Sequence, residues 1–312
     1  IKWIDPRLEK LLDLKSKGLV LEQPEILRVA LGENNEHIYF HKEESKTVDY
    51  ISRLSENDAK RWKDFSSYIS KLSNFLEKLY ELTPPALPNA GIKQILGMRS
   101  MLGPISKHGT RGIVDLLRVA PMMMPELVDE WFENELLRSA ISTAGIHHHS
   151  FGPYAAGTGY NLLHQHVHSN GVFHNAYFIK GGTEKLALAL KAQAESSGAD
   201  IRCAAKVVSI NIDNSTCNGV TLESGDTLEA KQVISGLDPN NTFMNLIQPS
   251  QLSPNFQRQL KNIRYRGSIA RVHFALSKLP KINNISKERM VTLFSISPVS
   301  YTHLTLPTNR EV

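Results

Sequence analysis

The stretch from Tyr177 to Pro239 constrains the chain most, because its apolar pattern changes period partway along. A short apolar run, Ala176 to Ile179, predicts a strand and is broken by the Gly181-Gly182 pair. Thr183 follows as a helix cap. Leu186, Ala187, Leu190 and Ala194 recur at three- and four-residue spacing, which predicts a helix with one apolar face, and Gly198 supplies its left-handed stop. Beyond Gly198 the period falls to two. Asp200 to Cys203 and Val207 to Ile212 predict strands, Asp213-Asn214-Ser215 opens a turn into Gly219 to Leu222, and Ser224-Gly225-Asp226 turns the chain into Thr227 to Ala230. Gln232 to Ile234 then runs into Ser235-Gly236. The sum is one βα crossover followed by a small β-meander, and its last strand ends at a glycine.

Such a unit has two readings. A glycine at the carboxyl end of a sheet strand lets a ligand approach the backbone, and open α/β sheets bind ligands at that edge. Strand backbone groups can also read a flat heterocycle, so an apolar residue such as Val207 can act through its amide and carbonyl alone. The other reading is an α/β fragment with ordinary turn glycines, and spacing alone leaves both open.

The rest of the chain narrows the choice by exclusion. Its 312 residues, 41% hydrophobic, suffice for one large domain or two ordinary ones. The net charge of +5 is spread along the chain with no lysine- and arginine-rich run, which argues against a nucleic-acid partner. Apolar runs break well before the roughly 18 residues of a membrane span, and no secretory signal is visible. Cys203 and Cys217 have neither CxxC nor metal spacing; Cys203 reads as a small core residue, Cys217 as part of a turn, and the pair as typical of reducing surroundings. A cytoplasmic location is therefore expected. The basic, methionine-rich stretch from Ile92 to Phe132 suggests either peripheral membrane contact or a cap whose methionines fill core gaps.

Ahead of that stretch, Ile26 to Leu31 and His37 to Phe40 predict strands. Ser55 to Asp58 forms a capping box before a long helix with Trp62, Phe65, Ile69, Leu72, Phe75, Leu76 and Leu79 on one stripe. The histidines of 147–149, with His164, His166, His168 and His174, cluster without the carboxylate or cysteine spacing of a zinc site, so no metal is expected. Asn241 to Ile247 reads as helical and Ser268 to Leu279 as a strand.

One ordered set of residues carries a family resemblance. Gly181-Gly182, Leu186, Ala189-Leu190, Ala194, Gly198-Ala199, Ile201, Val207, Ile210, Gly219-Val220, Leu222, Gly225, Ala230, Val233-Ile234-Ser235 and Asp238-Pro239 resemble the middle of the phytoene-desaturase-like FAD oxidoreductases. That group is related to the amine oxidases, and within it the chain looks most like the branch called pyridine nucleotide-disulfide oxidoreductase domain-containing protein 2. The resemblance covers the chain from about Gly18 to Ile296.

It implies an α/β class with an α+β substrate part: a two-domain FAD/NAD(P)-binding flavoprotein fold in which neither domain is contiguous. Residues 1–176 would form a substrate or cap domain, largely helical from 55, 177–239 part of the FAD-binding domain, and 240–297 a return to the substrate-domain sheet. The implied cofactor is FAD, with Val207 at the adenine through its backbone, Gly236 at the last strand's end, and Gly181 and Gly182 as flavin-side contacts. The implied reaction passes hydride from a small, lipophilic or amine-like substrate to the flavin; it assigns no catalytic residue. A carotenoid isomerase, a retinoid saturase or a non-enzymatic binding protein of the same fold are the rival readings.

Two departures lead to an expectation of a fold incomplete at both ends. The resembled family opens with a GxGxxG βαβ unit, which this sequence lacks, since Gly157-Thr158-Gly159 has no third glycine. Residues 298–312 do not fit the family; Ser300 to Val312 resembles translated adapter sequence and is set aside from the fold reading.

Overall fold

A computed structural model describes residues 4–32, 36–81, 112–148, 151–174, 177–265 and 290–295, with single positions between 272 and 277. The architecture mixes helices and sheets, as the α/β expectation requires. The chain divides into two compact units, Ile1–Leu190 with Ser268–Val312, and Lys191–Gly267.

The larger unit is built on a three-stranded sheet. Strand β1 (Ile26–Leu31) lies at its centre, antiparallel to β2 (His37–His41) and parallel to the strand Met290–Ser295. Four of the six β1 residues are buried, because both faces of the sheet are covered. One face joins the main core, where Phe40, Trp62, Phe65, Phe132 and Phe173 meet; Phe40 and Phe173 lie 4.8 Å apart edge-on, and Phe65 and Phe132 lie 4.9 Å apart. The other face packs Ile26, Val29 and Tyr39 against Tyr50. Arg28 is half-buried with its guanidinium 4.3 Å from the Phe173 ring centre, and desolvation of that group pushes its pKa down to about 10. A two-stranded pair, Leu21–Glu22 with Phe178–Ile179, forms the floor of a small cluster of Leu14, Leu19, Ile179 and Ala189.

The long helix α1 (Glu56–Tyr80) begins at the expected cap, but only half of the box forms: the Ser55 hydroxyl accepts from the Asp58 N–H at 3.1 Å, while the Asp58 carboxylate accepts from the Glu133 and Asn134 N–H groups instead of reaching back to Ser55. Its apolar stripe is buried from Trp62 to Leu76, as its spacing predicts. A second stripe is polar: Ser66, Ser70, Ser73, Glu77 and Tyr80 recur at four- and three-residue steps and all bond to residues 160–172. The Ser73 hydroxyl donates to the Leu163 carbonyl at 3.1 Å, the Ser66 hydroxyl accepts from the Val172 N–H at 3.3 Å, and Glu77 meets His168 at 3.1 Å. These small polar residues look like a solvated face in sequence, yet Ser66 and Ser73 are buried.

The Gly157-Thr158-Gly159 motif is explained by packing. Gly157 has φ +86 at the start of the helix Thr158–Gln165, and the buried Thr158 hydroxyl accepts from the Met124 N–H at 2.9 Å. A Cβ on Gly159 would lie 2.2 Å from the Val119 carbonyl oxygen.

In the smaller unit, strands Val207–Asp213, Thr216–Leu222 and Thr227–Glu229 form the expected antiparallel meander. Four expectations need correction. Asp200 to Cys203 and Gln232 to Ile234 form no strand, since no described segment pairs with either and a strand exists only through its partner. Cys203 is consequently exposed rather than in the core, and Cys217 lies in a strand rather than a turn. On the helix Glu184–Ser196 the buried residue is Ala189, while Ala187 and Leu190 of the predicted apolar face are exposed. The residues expected to form a strand at 268–279 lie largely outside the described residues, as do those from 92 to 111 in the basic, methionine-rich stretch. Within the described part of that stretch, Met124 is fully buried and would be 2.3 Å from a Cβ on Gly145, so this methionine fills the core.

Candidate functional site

The meander's open edge begins at Val207. The Glu223 N–H donates to the Lys206 carbonyl at 2.8 Å, which turns that carbonyl toward the middle strand. In a trans peptide the following N–H points the opposite way, so the Val207 N–H faces away from the meander. The Ile210 N–H also leaves the meander, donating to the Leu246 carbonyl at 2.8 Å. A cavity of about 410 Å³ adjoins this edge. Its walls are Lys206, Val207, Ile210, Val220, Leu246 and the run from Val233 to Leu237.

A hydrogen-bonded turn holds that run in place. The Ser235 and Thr242 hydroxyls lie 2.7 Å apart, the Leu237 N–H donates to the Ser235 hydroxyl at 3.2 Å, and the Thr242 N–H donates to the Asp238 carbonyl at 3.0 Å. The Asp238 carboxylate accepts from the Asn241 N–H at 3.0 Å and from its side-chain amide, bonds that hold its pKa below the usual carboxylate value. A Cβ on Gly236 would meet no atom within 4 Å, so packing does not demand glycine there, whereas close approach of a ligand would.

The structure thus brings Val207 and Gly236 to one cavity. Gly181 and Gly182 are not among its walls: with φ +82 and +95 they make the turn between Phe178–Ile179 and the following helix, a conformation that by itself calls for glycine. Lys206, Leu246 and the Ser235–Thr242 contact escaped the sequence reading. The Asp238-Pro239 turn was their only local signal.

The cavity suits a flat, uncharged ring, because its walls are mostly apolar and its edge offers a backbone donor. It suits a diphosphate poorly. Lys206 is the one cation among its walls, and its ammonium already meets Glu223 at 2.6 Å. An FAD molecule would therefore find a place here for its adenine, while its pyrophosphate would need the converging amides of a helix N-terminus, and none is among these walls.

The histidines serve other ends. The buried His166 ring donates from Nδ1 to the Leu162 carbonyl at 2.7 Å, and His164 lies 2.9 Å from the Tyr80 hydroxyl. Burial and the Tyr160 hydroxyl 2.6 Å away raise the Tyr80 pKa above its ordinary value. Among the described residues no three histidine, cysteine or acidic side chains stand where they could hold a metal, and no helix is long and apolar enough to cross a membrane.

Comparison with known proteins gives the cavity a context. Residues 161–301 match the family model described as flavin containing amine oxidoreductase. The chain is 24% identical over 295 residues to pyridine nucleotide-disulfide oxidoreductase domain-containing protein 2 of Rattus norvegicus, covering 90% of this chain and 51% of that protein. It is 24% identical over 171 residues to a 4,4'-diapophytoene desaturase (4,4'-diapolycopene-forming) of Methylomonas sp, covering 53% and 32%. A redesigned putrescine oxidase shares 14% identity at a TM-score of 0.45, over 82% of this chain and 50% of that one, a likeness too loose to bear on the fold. The chain spans about half the length of the rat protein.

Proposed function

We infer that this chain, a relative of the flavin-containing amine oxidoreductases, holds the adenine end of FAD between Val207 and Gly236 and serves an FAD-dependent oxidoreductase. The observation that carries this reading is the outward Val207 N–H at the edge of a cavity that Gly236 also lines. Bound FAD supplies the hydride acceptor, and the protein's part is to orient substrate and cofactor and to exclude water. The chain's own contribution would be to hold the base, with the Val207 N–H as a hydrogen-bond donor and the apolar walls excluding water from it. The desaturase relative supports a lipophilic small molecule as substrate.

Two expected results test this. Val207→Pro removes the outward donor while sparing the ladder, since proline is tolerated at the first residue of a strand. Titration with AMP, followed by NMR, is expected to give roughly millimolar binding to the parent chain and about fivefold weaker binding to the variant. Equal affinities would remove Val207 from the site.

The 312-residue chain is also expected to lose FAD on desalting and to be colourless. Fold relatives of this kind neutralise a pyrophosphate with backbone amides at a helix N-terminus after a Gly-rich turn, and no GxGxxG occurs in this sequence. Stoichiometric yellow flavin surviving the column would show that the anion site lies within these residues after all.

A further inference from the structure

We draw no further inference here: the strongest candidate, the exposed apolar side chains of Ile234 and Leu237 on the 191–267 unit, lines the cavity already described, and nothing in the structure shows what covers it.

Discussion

Replacing Asp58 with alanine is expected to destabilise the larger unit by about 3 kcal/mol. Asp58 is fully buried, and each carboxylate oxygen accepts a backbone N–H: Glu133 at 2.9 Å and Asn134 at 2.8 Å. Those two residues lead into the helix Glu135–Ile146, so the carboxylate ties the start of α1 to the start of a helix some 75 residues away. Alanine leaves both donors in a dry interior, and a buried donor without a partner forfeits its full desolvation energy. For a unit of this size the loss corresponds to a fall of roughly 6–12 °C in thermal midpoint, readable by circular dichroism. Asp58→Asn keeps one acceptor oxygen and is expected to lose about half as much. If the alanine variant melts within a degree or two of the parent, the clamp is not holding these helices together.

Gly219→Ala is expected to be the most damaging single change in the smaller unit. Gly219 has φ +147, and a Cβ there would lie 2.0 Å from the Leu228 carbonyl oxygen and 3.0 Å from the Glu229 Cα. Both obstacles are backbone of the neighbouring strand, so no rotamer change relieves them. The strand Thr227–Glu229 must move away, breaking its pairs with Gly219, Val220 and Thr221. A cost above about 3 kcal/mol follows, the range reserved for overpacking combined with backbone strain. Gly225→Ala is the control, since Gly225 shares a positive φ of +93 but would meet nothing within 4 Å. It is expected to cost only about 1 kcal/mol. Hydrogen exchange at the Ala230 amide, which donates to the Asn218 carbonyl at 2.9 Å, reports the difference. Fast exchange in the first variant and near-parent exchange in the second is the expected pattern; equal behaviour would place the effect in φ rather than in contact.

What could be read in advance was what is local. Strand Ile26–Leu31, the Ser55 cap and the apolar stripe of α1 depend on neighbours within a few residues, and each lies where its pattern puts it. Asp58 was legible only in part: the Ser55 cap on its N–H is local, but its carboxylate, expected to complete the box, bonds residues far along the chain. The polar stripe from Ser66 to Tyr80 was invisible, because a serine that bonds a distant carbonyl has the same sequence pattern as one facing water. The missing strands at 200–203 and 232–234 failed for the opposite reason. Their residues suit a strand, but pairing is a property of two segments. At the candidate site, Val207 and Gly236 were each marked by type and position, while their convergence on one cavity, with Leu246 as its third side, belongs to the fold.

The account rests on the adenine end of FAD lying in the cavity of the 191–267 unit. An NMR footprint on the isotope-labelled 312-residue chain tests it most directly, with FAD, AMP and riboflavin added in turn. FAD and AMP are expected to shift the same saturable set of amides, centred on Val207, Ser235, Gly236 and Leu237, and riboflavin to leave that set unmoved. A footprint reproduced by riboflavin, or an FAD footprint lying away from these residues, would contradict the placement of the cofactor.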